Sequence, residues 1–289
     1  MATESIQDIK RRIKSVSSTE RITNSMKLVS AGKLRKARAL FEETNQNSSF
    51  ITNTISDLFN TSTDVPQDYL VGSREIKKTA YVVVTSSKGL CGGFNTNVIK
   101  EAQRSIDETG GDSMIIAVGG KSKEYFEKRG YNIEESYLAP PESITFLEAK
   151  ELVGPLIEMY DNREIDEIIM VYTSFVSAIS QEVVKERLLP FDVEENTDSS
   201  ARPTRHIVYE PSVDVVFNYL IPKYVEMKIY SAVVESATCE HAARRMAMEN
   251  ATDNAHEMLD VLNLNYNRAR QTAITNEIIE IVAGSEAQN

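Results

Sequence analysis

KYVEMKIYSAVVESATCEHAARRMAMENATDNAHEMLDVLNLNYNRARQTAITNEIIEIVA, Lys223–Ala283, runs for 61 residues without a glycine or a proline, with Pro222 before it and Gly284 after it. A helix-starting proline and a helix-stopping glycine in those places predict one uninterrupted helix. At 1.5 Å per residue it is about 90 Å long, several times the width of a domain of this size, so it cannot rest on one core throughout. Its middle carries apolar or small residues at 3-4 spacing, Met248, Ala251, Ala255, Met258, Leu262 and Ala269, and Ile274, Ile278 and Ile281 resume the stripe near the end. That spacing predicts a coiled-coil seam.

The N-terminus answers with a second long pattern. Ile6, Ile9, Ile13 and Val16 mark one stripe; Ile22, Met26 and Val29 continue it after the polar step Ser17–Glu20, and Leu34, Ala37 and Phe41 shift again. Two register slips predict an irregular pair. No proline precedes Pro66, and only Gly32 interrupts the pattern, at a local cost of about 1 kcal/mol. Long helices at opposite ends of one chain pair most simply antiparallel. Many seam positions are Ala, Ser, Thr or Met, which limits burial per layer, so the pair is expected to lean on partners.

Between the helices the grammar changes. Strand-like runs (Tyr81–Thr85, Met114–Val118, Ile168–Tyr172) alternate with helical stretches (Asn97–Glu108, Lys121–Lys128, Phe146–Tyr160), the rhythm of a mostly parallel sheet. Gln181–Leu189 reads as an antiparallel addition, and Asp192–Arg205 as a polar loop. The expected fold is α/β: a long antiparallel coiled coil of N- and C-terminal helices (residues 1–60 and 220–289) with a central Rossmann-like α/β body (76–215).

The net charge of -11 hides an asymmetry: Lys10–Arg38 holds ten basic residues against one acid, Glu20. No apolar run approaches the roughly 18 to 20 residues of a membrane helix, and the N-terminus lacks an apolar signal core. Cys91 and Cys239 stand far apart with no CxxC spacing, which fits a reducing compartment and argues against a disulfide framework or structural zinc.

GLCGGFN (Gly89–Asn95) follows an apolar strand and invites three readings: a phosphate cradle, a reactive cysteine, or a tight bend. A Walker loop needs GxxxxGK[ST] so that successive backbone N–H groups wrap the phosphates. GGKS at Gly119–Ser122 has only the tail, with Ile115 where the first glycine belongs, and GLCGGFN lacks the Lys-Ser/Thr pair. A nucleophilic Cys91 needs a base, and the nearest histidine in sequence is His206. His241 and His256 are 15 residues apart with no third ligand, a pattern of helix faces and not of a metal site. A bend and a buried thiol are the better readings. The basic arm can meet an acidic partner protein, nucleic acid or only solvent; its first aromatic is Phe41, which disfavours nucleic acid.

Three blocks, RRIKSVSSTERITNSMKLVSAGKLRKA (Arg11–Ala37), GLCGGFN, and HAARRMAMENATDNAHEMLDVLNLNYNRARQTAITNEIIEIVAGSEA (His241–Ala287), resemble the gamma subunit of F-type ATP synthase, in that family's order and over the whole chain. The resemblance implies a rotor shaft inside a ring of three alpha and three beta subunits, with a foot on the epsilon subunit and the membrane c-ring, and contact with the membrane only through that complex. It implies no catalytic residue, cofactor, metal or nucleic acid, and a place on the cytoplasmic face of a bacterial membrane. ARQTAIT carries beta-subunit contacts onto Arg270, Gln271 and Thr275, with Glu277 nearby; SMKLVSAGKLRKA carries them onto Met26, Lys27, Lys33 and Arg35 on the opposing helix. GLCGGFN (Gly89, Cys91, Gly92, Gly93) and YEP (Tyr209, Glu210) fall to the foot, on the epsilon and c-ring side. Gly32 replaces the family's usual alanine, Ser285 stands where the terminal signature has alanine, and the regulatory cysteine pair of photosynthetic members is missing near Asp192–Arg205.

Overall fold

A computed structural model of the chain describes residues 5–61, 66–72, 74–191, 210 and 212–286. These form two compact units, Met1–Ala31 with Arg244–Asn289, and Gly32–Ala243. Two helices contribute to both: α1 (Ile6–Thr61) and α5 (Val213–Glu286).

The second unit is built on a five-stranded sheet. Its elements are β1 (Lys78–Val84), α2 (Phe94–Thr109), β2 (Asp112–Val118), α3 (Gly120–Glu127), β3 (Ile133–Tyr137), α4 (Phe146–Asp161), β4 (Glu167–Phe175) and β5 (Gln181–Leu189). The strand order is β3-β2-β1-β4-β5, with the first four parallel and β5 antiparallel to β4. Such a sheet is covered on both faces, which is why its central strands read as unbroken apolar runs. One face (Val82, Val84, Ile116, Met170) packs on α4, on Phe217–Val234 of α5 and on Ile55 and Leu58 of α1. The other (Tyr81, Val83, Ile115, Val171) packs on Val98, Ala102 and Ile106 of α2 and Phe126 of α3. The expected antiparallel Gln181–Leu189 is present. β3 has no counterpart in the periodicity, because its sequence, IEESY, is that of a half-exposed edge and edges carry charge.

Two expectations about the helices are corrected. Pro222 lies inside α5, which begins at Val213, and Gly284 is also helical. Proline removes one N–H, and a long, well-packed helix absorbs that loss.

The seam of α1 does not slip. In the first unit Ile6, Ile9, Ile13, Val16, Glu20, Thr23, Lys27 and Ser30 are all buried or half-buried at 3-4 spacing, with Asp8, Ser17, Asn24 and Met26 half-buried beside them; in the second the same spacing holds through Leu34, Ala37, Phe41, Thr44, Ser48, Ile51, Ile55 and Leu58. Ile22 and Val29, expected inside, are 58% and 60% exposed. On α5 of the first unit Met248, Thr252 and Ala255 are buried and Ala251, Leu259, Leu262, Tyr266 and Ala269 are half-buried, while Met258 is open. The coil is regular in spacing and irregular in chemistry: polar residues hold core positions.

The pairing is antiparallel. In the first unit Lys10 lies over the Tyr266 ring, Glu20 meets His256 at 3.4 Å and Thr23 meets Thr252, so each step up α1 matches an equal step down α5. Beyond Ala269, Arg270–Gly284 are exposed throughout, Ile274, Ile278 and Ile281 among them.

Candidate functional site

The carboxyl end of β1 is where a doubly wound sheet holds a ligand, at the point where strand order reverses. Here that crevice is filled. After β1, Leu90 (φ 63°) and Gly92 (φ 58°) turn the chain left-handed and bring Cys91 and Phe94 against Cys239 of α5, with Phe175 beside them. Asn95 ties the loop shut: its Oδ1 accepts the Ser86 N–H and O–H at 2.9 Å each, and its Nδ2 donates to the Cys91 sulfur at 3.2 Å. GLCGGFN is therefore a bend with a buried thiol. Burial also pushes the Cys239 thiol well above its ordinary value, which keeps it protonated and inert.

The second phosphate candidate is occupied too. A Cβ on Gly119 (φ 95°) would run into the Thr85 carbonyl, so glycine is needed there for a close approach of chains. The Ser122 N–H donates to Thr85 Oγ1 at 2.9 Å, the Ser122 hydroxyl accepts from Thr85 Oγ1 at 3.0 Å and donates to the Gly119 carbonyl at 3.0 Å, and Lys121 Nζ sits on Glu124 at 2.8 Å. Among the described residues no group of three or more His, Cys, Asp or Glu could hold a metal ion, and no helix is long and apolar enough to cross a membrane. His241 is buried, and His206 lies outside the described residues.

The residues expected to touch partners are largely on the surface. Arg270, Gln271, Thr275 and Glu277 are exposed on α5, where Thr275 bonds back to the Gln271 carbonyl at 2.9 Å. Met26 and Lys27 are half-buried, Lys27 in the seam itself; Lys33 and Arg35 are exposed. By the antiparallel pairing, Arg270 lies level with the start of α1, and Met26 sits level with residues near 250, about 30 Å away along the coil. Arg270 and Met26 therefore lie on separate surfaces of the first unit.

The residues expected at the foot are not together either. Gly89, Gly92 and Gly93 are exposed and Cys91 is buried at the end of the sheet near Cys239, whereas Glu210 precedes the first turn of α5. Some 27 helical residues, about 40 Å, separate the two, so one contact face does not hold both. Tyr209 lies outside the described residues. The periodicity also hid an apolar outer surface on the coil: Ile22, Leu28 and Val29 of α1, and Met258, Val261 and Leu264 of α5. A residue off the 3-4 seam yet apolar is the signal that would have found it.

The fold is an α/β body whose two candidate phosphate turns are closed by their own side chains, with a helical coil that carries exposed apolar residues. A family model described as ATP synthase matches residues 5–288. The ATP synthase gamma chain of Alkaliphilus metalliredigens is 45% identical over 285 residues, with 98% of each chain covered. The sodium-ion-specific ATP synthase gamma chain of Acetobacterium woodii is 41% identical over 302 residues, with 99% of each covered. The chain belongs to the ATP synthase gamma-chain family. Among solved structures, a chain of the Euglena gracilis mitochondrial ATP synthase assembly of OSCP, F1 and c-ring aligns with a TM-score of 0.70 at 20% identity over 98% of this chain and 94% of that one.

Proposed function

We propose that this chain is the central rotor shaft of an F-type ATP synthase, coupling ion-driven turning of the c-ring to opening and closing of the nucleotide sites on the beta subunits, and in reverse ATP hydrolysis to ion pumping. The observation that carries the reading is α5 itself: one helix that packs into the sheet over Phe217–Val234 and ends in an exposed segment, Arg270–Gly284, belonging to the other unit. Its partners are three alpha and three beta subunits, epsilon and the c-ring, on the cytoplasmic face of a bacterial membrane, and the chain supplies no catalytic group of its own.

A shaft shifts a site's open-closed equilibrium only as far as it binds the two states unequally. The asymmetry available here is chemical. Lys10, Arg11, Arg12 and Lys14 dominate α1, while Glu249, Asp253, Glu257 and Asp260 mark α5, and past Ala269 α5 presents an apolar stripe. Basic α1 surface suits acidic loops of the beta subunits, and Arg270 and Gln271 can give directional hydrogen bonds to loop carboxylates and carbonyls. Complexes assembled in vesicles without this chain are expected to make no ATP from an imposed ion gradient; gradient-driven synthesis in its absence would sink the reading.

A further inference from the structure

Apolar contacts hold α5 on the sheet through Val225, Ile229, Ala232 and Val233, all almost fully buried. Such contacts are non-directional: they keep the buried face of the helix on the sheet but define its exact angle less sharply than bonds of fixed geometry. A rotor that carries torque needs groups that resist rotation, and directional bonds between side chains do so.

Two such bonds lie on one stripe of α5. Lys228 Nζ meets Glu186 Oε1 of β5 at 2.7 Å, both side chains being largely covered. Seven residues later Glu235 Oε1 accepts the Ser174 hydroxyl and the Phe175 N–H of β4, each at 2.7 Å. Seven residues are two helical turns, so both side chains point the same way. They grip neighbouring antiparallel strands: Glu186 is paired with Met170, four positions before Ser174. The span along the helix is about 10 Å and along the strand about 13 Å, close enough for both latches to engage at one setting of α5. A turn by one residue position, about 100°, breaks both at once.

We propose that Lys228 and Glu235 are positioning residues that fix the angular setting of α5 on the β4–β5 pair, so that torque applied to the body reaches the coil without slip. This rests on the rotor reading above. The test measures two rates in vesicles carrying the assembled complex: ATP hydrolysis, and ATP synthesis driven by an imposed ion gradient. Glu235→Ala is expected to keep hydrolysis and assembly while the ratio of synthesis to hydrolysis falls several-fold. Glu235→Gln, whose amide oxygen can accept both bonds, is expected to restore the ratio, which a purely charge-based role would not predict, and Glu235→Met, similar in size but without the acceptor, is expected to leave it low, which a bulk-packing role would not predict. A normal ratio in Glu235→Ala overturns the proposal. Should Glu235→Ala not assemble, the charge exchange decides: Lys228→Glu lowers the ratio and Lys228→Glu with Glu186→Lys recovers it, and a double variant no better than the single overturns the latch. Complexes lacking the chain keep the two ideas apart: coupling without it ends the rotor reading, whereas no coupling without it and full coupling in Glu235→Ala ends the latch alone.

Discussion

Thr23 of α1 and Thr252 of α5 face each other with their hydroxyl oxygens 2.8 Å apart, each under 9% exposed, in the middle of the coil seam. Thr23 also reaches the Glu20 carbonyl at 3.0 Å and Thr252 the Met248 carbonyl at 2.7 Å, so two protons serve three contacts. A buried polar pair of this kind costs stability and favours one register.

Replacing both partners by apolar groups of the same shape is nearly neutral or stabilising, whereas removing one costs about 1 kcal/mol. Thr23→Val or Thr252→Val alone is therefore expected to lower the stability of the coil by about 1 kcal/mol, and the double valine variant to return to the parent value or exceed it. Denaturant unfolding of the four proteins gives the cycle; additive losses would mean that the hydroxyls do not interact.

The two units differ in how much they bury. Among the described residues of the first, only Ile9, Met248 and Ala255 are sealed apolar side chains, while β1, β4 and the α5 segment beneath them are sealed almost throughout. Local opening free energy follows buried apolar contact. In the isolated chain, amides of 5–31 and 244–286 are expected to exchange at least about a hundredfold faster than those of β1 and β4. Hydrogen exchange read by mass spectrometry checks this, and equal protection would show that the coil does not need its partners.

Two glycines of positive φ separate conformational strain from collision. At Gly92 an added Cβ meets nothing within 4 Å, so Gly92→Ala carries only the left-handed penalty of about 1 kcal/mol. At Gly119 (φ 95°, ψ 147°) the backbone lies in a region essentially restricted to glycine, and a Cβ also collides with the Thr85 carbonyl, in a residue held by the bond from its N–H to the Val118 carbonyl at 2.8 Å. Gly119→Ala is expected to cost about 3 kcal/mol or more, through forced movement of β1 against β2. Thermal unfolding of the two variants should rank them clearly.

Much of this architecture is legible in the residues because a parallel sheet leaves continuous apolar runs, Tyr81–Val84 and Ile168–Tyr172, and a glycine-free helix leaves Lys223–Ala283. The seam is harder to read because apolarity and burial part company there. Counting 3-4 onward from Val16 arrives at Glu20, Thr23, Lys27 and Ser30 and then meets Leu34 in phase, but a search for apolar residues prefers Ile22, Met26 and Val29. Those three follow a helical period of their own on an outer or flanking face, which is how a surface kept for partners looks. Pro222 misled for a different reason: the proline rule is a local cost of one bond, and the packing of Phe217, Ile221 and Val225 around it outweighs that cost. The candidate contact residues could be named by resemblance, but their grouping could not, since only the antiparallel pairing fixes that Arg270 and Met26 lie far apart.

Arg270 and Gln271 offer the cleanest separation of function from stability. Both are exposed on α5, and surface substitutions away from caps and pairs stay within about 0.5 kcal/mol. Arg270→Ala with Gln271→Ala should therefore leave unfolding of the isolated chain unchanged. If these side chains donate hydrogen bonds to carboxylates and carbonyls of partner loops, the loss appears only in the assembled complex, as weaker assembly or a lower rate of gradient-driven ATP synthesis. Charge-assisted bonds are worth about 1.5–3 kcal/mol each, so the fall should reach about tenfold or more if the bonds form at the rate-limiting orientation. Lys33→Ala serves as comparison, being exposed on α1 in the other unit. A double variant with unchanged unfolding and fully normal synthesis would remove Arg270 and Gln271 from the contact surface, and would leave the apolar stripe of Ile274, Ile278 and Ile281 as the part of this segment that partners hold.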